Sequence, residues 1–129
     1  MSERIESELA LLRTAYPALE YRPDGRWVRI ASYVVPVGIW SQAQIEICFQ
    51  IPTGIPGEAP YGFYVRPHLT LANGRVPNNY TYPAPTVFGQ DWGKFSWILD
   101  PWTPQADVRA GSNMLDFALS IHGRLKEGA

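Results

Sequence analysis

The sequence predicts an α+β domain in which helices pack on a single antiparallel sheet. Three observations lead there. Near the start Ile5, Leu9, Leu12 and Tyr16 recur at spacings of four, three and four, which lines one side of a helix. In the middle, residues 44–65 read QIEICFQIPTGIPGEAPYGFYV, a strand, a Pro/Gly-rich connection and a second short strand. Near the end Met114, Phe117, Ile121 and Leu125 form another helical stripe. Helices at the two ends with strands between them point to the layered α+β class.

The first helix is expected over residues 2–16. Ser2 can cap it, Glu3 and Glu6 suit the positive end of the macrodipole, and Pro17 disfavours helical geometry at Tyr16. Pro23-Asp24-Gly25 is a turn, because proline presets φ and glycine accepts a positive φ. Leu19 to Arg22 and Arg26 to Tyr33 flank it as a hairpin. Pro36, Gly38 and Trp40-Ser41 lead to the third strand at Gln44. There Ile45, Ile47, Phe49 and Ile51 alternate with Gln44, Glu46, Cys48 and Gln50, so one face is expected to be buried. The connection IPTGIPGEAPYG excludes both helix and ladder, and Phe63-Tyr64-Val65 then resumes an extended run. The first half is therefore a helix and a four-strand antiparallel meander.

From Arg66 to Lys94 periodicity disappears, which predicts a long, ordered, irregular loop with room for one short strand. Tyr80, Tyr82, Phe88 and Trp92 are expected to pin that loop to a surface. A helical turn is expected at Thr103-Pro104, and a last helix capped by Ser112, with Leu115, Ala118 and Leu119 beside its stripe.

With 129 residues the chain is read as one domain over residues 1–129, large enough for a core without disulfides or metals. A net charge of -1 and the lack of a basic run give no sign of nucleic acid or an anionic membrane. One cysteine excludes an internal disulfide, and with two distant histidines it makes no zinc set. MSERIESELALL is too charged for a signal peptide, and no apolar run approaches about 18 residues. The expected setting is the cytoplasm, and no cofactor is expected. GIPGEAPYG lacks the lysine and following helix of a phosphate loop, and Asp91 with Asp100 is the only acidic pair near the loop, with nothing to mark a sugar site.

The order of these elements resembles the ubiquitin-conjugating enzyme fold. The strand-Pro-Thr-Gly…Pro…Pro run from Phe49 to Pro60 is similar to that family's connection between its third and fourth strands. Trp102-Thr103-Pro104 is similar to its Trp-Ser-Pro. Together with Phe63-Tyr64-Val65 and Phe95-Ser96-Trp97, these features most resemble the bacterial conjugating-like proteins of family E. The resemblance covers most of residues 2–125 and implies a ubiquitin-conjugating-like fold with the long loop as its active-site segment. It also implies two partners, a ubiquitin-like protein and the adenylating enzyme that activates it. Contact with that enzyme would be made by the first helix, where Glu3, Arg4, Glu8 and Arg13 are expected to be exposed; a solvated helix face explains those charges equally well.

The chain departs from the family at its chemistry. Counting back from Trp102 to the expected nucleophile lands on Lys94, and no cysteine is near. The His-Pro-Asn that should precede it is replaced by Arg66-Pro67-His68-Leu69. Cys48 lies in mid-strand, where it reads as a structural residue, with Glu46 adjacent on its face to oppose ionisation. Ser96 is the alternative nucleophile: it could hold a ubiquitin-like C-terminus as an oxyester, given a base and an oxyanion donor. His68, at the start of the long loop, is the one histidine expected near it, with Asp91 or Asp100 to orient or replace it; both Ser96 and His68 also read as ordinary loop residues. His122, on the last helix, reads as a boundary residue, and Trp92, Trp97 and Trp102 read as anchors.

Two functional readings follow. In one, the chain is a cysteine-free carrier that holds the ubiquitin-like protein on Ser96 with His68 as base. In the other, it is a catalytically inactive scaffold that binds the ubiquitin-like protein, the activating enzyme or an active conjugating subunit. A plain interaction domain of the related RWD type is a third and more distant reading.

Overall fold

A computed structural model describes residues 3–128. Helix α1 (Glu3–Ala15) is followed by strands β1 (Glu20–Arg22), β2 (Trp27–Val34), β3 (Gln44–Gln50), β4 (Phe63–Arg66), β5 (Tyr80–Thr81) and β6 (Gly93–Phe95), and by helix α2 (Met114–Glu127). The first four strands form the expected meander. The sheet then continues through two strands from the loop region, in the antiparallel order β1-β2-β3-β4-β6-β5. Ser2, the expected cap of the first helix, lies outside the described residues.

Local chemistry accounts for the boundaries. Gly25 (φ 83°) and Arg26 (φ 56°) take the left-handed conformations that close the β1–β2 turn, and Arg26 N donates to Pro23 O at 3.1 Å. At α2 the cap is Asn113, whose side chain accepts from Asp116 N at 2.8 Å, and not Ser112. Ser112 instead accepts from Thr103 N through Oγ at 2.9 Å and returns its own N–H to Thr103 O at 3.1 Å. That clasp holds residues 103–112 as an irregular loop, and the helical turn expected at Thr103-Pro104 does not form.

One core joins both helices to the sheet. Leu9 and Leu12 of α1, Met114, Phe117, Ile121 and Leu125 of α2, and Ile47, Phe49, Phe63, Val65 and Phe95 of the sheet all belong to it. Phe49 and Phe117 meet edge to face at 5.2 Å between ring centroids. Tyr33 Oη donates to Ala118 O and Trp40 Nε1 to Leu125 O, so the polar tips of the core aromatics end on α2 carbonyls. Leu119, expected beside the apolar stripe, points to solvent.

The two helices are also tied by a buried charge. Glu8 is fully buried and accepts Met114 N at 2.9 Å and Arg4 Nε at 3.0 Å. The sequence reading placed Glu8 and Arg4 on an exposed helix face. The structure corrects this: Glu8 turns inward to the start of α2, and Arg4 follows it and donates to Gln105 O. Burial pushes the Glu8 carboxyl above the usual carboxylate range, against the pull of Met114 N–H and Arg4. Glu8→Ala, which strands the guanidinium and the amide, is expected to cost about 3 kcal/mol in chemical denaturation. Because Glu8 titrates above its unfolded value, wild-type stability relative to Glu8→Gln should grow as pH falls through the folded value, and level off below the unfolded one. Parallel urea melts of the two proteins across acid pH measure this.

Candidate functional site

The sheet has a second covered face. Trp27, Arg29, Glu46, Cys48, Tyr64 and Arg66 project away from the helices, and the loop through Phe88 and Trp92 folds over them. Glu46 pairs with both Arg29 and Arg66, at 2.9 Å to each Nε, and the Arg66 hydrogen bonds hold its carboxyl below the usual range. The guanidinium of Arg66 lies over the Trp92 ring at 4.4 Å and that of Arg22 over Phe88 at 5.0 Å. Trp92 is completely buried.

This cover explains Cys48. The period-two pattern left Cys48 on the open side of β3, yet it is as buried as its inward neighbours. Burial pushes its thiol up to about 12, with nearby Glu46 the smallest contribution, so the thiolate that a nucleophile needs is not formed near neutral pH. Native protein should therefore resist a thiol reagent such as dithionitrobenzoate. Trp92→Ala is expected to lower stability by about 3 kcal/mol and to raise the labelling rate severalfold. Equal labelling of the two native proteins would show that the loop does not guard the thiol.

The strand β6 carries the other candidates. Ser96 N donates to Asn79 O at 2.8 Å, so the β5–β6 ladder runs one residue past Phe95. Phe95 faces the core, Trp97 packs against it and donates from Nε1 to Ser120 Oγ at 3.1 Å, and Ser96 between them is exposed on the opposite face. Among the described residues its hydroxyl has no hydrogen-bond partner. Lys94, two residues earlier, lies on the same face, with Nζ 5.3 Å from the ring centre of Tyr64 and 5.8 Å from that of Tyr61.

His68 is elsewhere. Its Nδ1 is 2.9 Å from Tyr80 Oη, which also accepts Leu69 N at 3.0 Å, and its ring stacks on Tyr82 at 4.0 Å. The Tyr80 ring packs on Phe95 at 4.7 Å, on the core side of β6. Its hydroxyl reaches the space beside Gly93, where an added Cβ would sit 2.0 Å away. His68 thus belongs to the Gly93 end and the core side, Ser96 to the other end and the outer face, and no hydrogen bond joins them. Asp91 is bonded to Arg66 at 3.3 Å and does not orient His68. On α1, Glu3 and Arg13 are exposed as expected, and the Arg4 side chain is only 14 % exposed.

The Pro/Gly-rich connection is tied to the segment that follows β6. Trp102 Nε1 donates to Pro56 O at 2.7 Å, and Gly62 N donates to Trp97 O at 2.7 Å. A family model described as prokaryotic E2 family E matches residues 8–119, from α1 into α2. The chain belongs to that family. Its members are E2-like, that is, similar to ubiquitin-conjugating enzymes, and this places the chain as an E2-like component of a bacterial conjugation-like pathway. No curated protein and no solved structure matches it. In family terms, the chain keeps the scaffold of helix, meander, proline connection and Trp-x-Pro, with its only cysteine sealed under a loop. No helix among the described residues is long and apolar enough to cross a membrane, and none of their His, Cys, Asp and Glu side chains cluster to hold a metal ion.

Lys94 shares the outer face of β6 with Ser96, a placement that sequence reasoning passed over. It was met only as the residue standing where a cysteine was sought. The signal was present in Lys94-Phe95-Ser96, whose alternation around a core phenylalanine puts the two polar side chains on one face.

Proposed function

We propose that the domain is a cysteine-free carrier in a ubiquitin-like conjugation pathway, holding the ubiquitin-like C-terminus on Ser96 as an oxyester. The observation that carries this reading is the contrast between two nucleophiles: the Cys48 thiol is buried and un-ionised, whereas the Ser96 hydroxyl is exposed and unbonded among the described residues. Its partners are a ubiquitin-like protein and an adenylating enzyme, which reach the chain through the α1 face at Glu3 and Arg13. Arg4 and Glu8 support that face from beneath. His68, bonded to Tyr80, takes part indirectly: it fixes the start of the loop that leads to β5.

A second reading is favoured by the separation of His68 from Ser96. Without a base at Ser96, the domain would be an inactive variant that docks the ubiquitin-like protein, the adenylating enzyme or an active conjugating subunit. Incubation with the cognate adenylating enzyme, ubiquitin-like protein and ATP separates the two. The carrier reading expects a covalent adduct that hydroxide cleaves and that Ser96→Ala abolishes. Full adduct formation by Ser96→Ala removes the serine, and complex formation without any adduct identifies the scaffold.

A further inference from the structure

We infer that Lys94 is the oxyanion-binding residue of an acyl-transfer site centred on Ser96, an inference that rests on the carrier reading. Attack of Ser96 Oγ on an activated acyl carbonyl forms the new C–O bond and places a negative charge on the carbonyl oxygen. The serine proton leaves to solvent. The C–O double bond then re-forms as the bond to the leaving group breaks, and an adenylate or thiolate departs with the electron pair. The intermediate needs a donor or a positive charge held beside the oxyanion.

The surroundings of Ser96 leave few groups for that role. Its own N–H is donated to Asn79 O, and Gly62 N–H is donated to Trp97 O across the same step of the sheet. The indole of Trp97 is donated to Ser120. Two of the neighbouring amides are in this way already engaged, and His68 lies on the other side of β6. Lys94 is the cation on this face. Its side chain leans along the outer face toward the Ser96–Trp97 step, since a Cβ added to Gly62 would fall 3.1 Å from Lys94 Cε. Gly62 (φ 79°) makes room there that a larger residue would fill. The ammonium is steadied by the faces of Tyr61 and Tyr64 and forms no ion pair among the described residues. Arg29 and Arg66, by contrast, share Glu46 and are paired further with Glu20 and Asp91. An unneutralised cation with a fixed stem, on the same face as an exposed hydroxyl, suits the charge that develops on acylation.

The test uses p-nitrophenyl acetate as acyl donor, following p-nitrophenolate release and mapping the acetyl group by mass spectrometry. Wild-type protein should form a hydroxylamine-sensitive ester at Ser96. Lys94→Met should slow its formation about a hundredfold at unchanged melting temperature, whereas Lys94→Arg should retain most of the rate. An undiminished rate in Lys94→Met, with the ester still lost in Ser96→Ala, overturns the role of Lys94 and leaves Ser96 in place. No ester at Ser96 in the wild-type protein overturns the serine site and Lys94 with it. A hydroxylamine-resistant acetyl group on Lys94 itself makes that residue the acceptor and overturns its role as a charge.

Discussion

The double pairing of Glu46 with Arg29 and Arg66 decides how this sheet presents itself. Glu46 bridges the two guanidinium groups, Glu20 and Asp91 pair with them from either side, and the planes of the Arg side chains become surfaces on which Trp92 and Phe88 can lie. The loop is drawn over β3 and β4 as a result, and Cys48 is sealed beneath it. The same loop ends at Gly93 and delivers β6 to the sheet beside β4. A charge cluster of partly exposed groups would contribute little by itself. Here its weight comes from the aromatic side chains it organises.

Much of this architecture was legible in the sequence because it rests on short-range rules. The two helical stripes, the Pro23-Asp24-Gly25 turn and the alternation of β3 each depend on neighbours a few residues apart, and each element formed where expected. The long loop was harder, since β5 and β6 are two and three residues long and owe their existence to partners far along the chain. Glu8 shows the same limit. An acid on an amphipathic helix reads as solvent-facing, and only the arrival of Met114 more than a hundred residues later turns it inward. The cap of α2 shifted by one residue for a similar reason: Ser112 was already engaged by Thr103.

For the candidate site, the sequence named the residues without their arrangement. Ser96 and His68 flank the long loop at its two ends, and the sequence left open whether the loop brings them together. Alternation across β6 divides them instead. Phe95 and the Tyr80–His68 stack lie on one side, Lys94 and Ser96 on the other. The chemistry proposed for this member of prokaryotic E2 family E would draw on groups that a thiol-based enzyme would not need: a hydroxyl, a cation and the glycine that lets the cation lean.

The bond between Glu8 and the first amide of α2 carries a further consequence for the α1 face. Arg4 is bound on one side by Glu8 and on the other by the carbonyls of Gln105 and Ala106, so it already bridges the chain's first helix to the approach of its last. A partner that gripped Arg4 would have to take it from Glu8, leaving the start of α2 to a lone buried carboxylate. The surface on which a partner can rest without loosening the domain is thus narrower than the row of charges along α1 suggests. Glu3 and Arg13 stand clear of that clasp, while Arg4 and Glu8 form a pin that must stay in place.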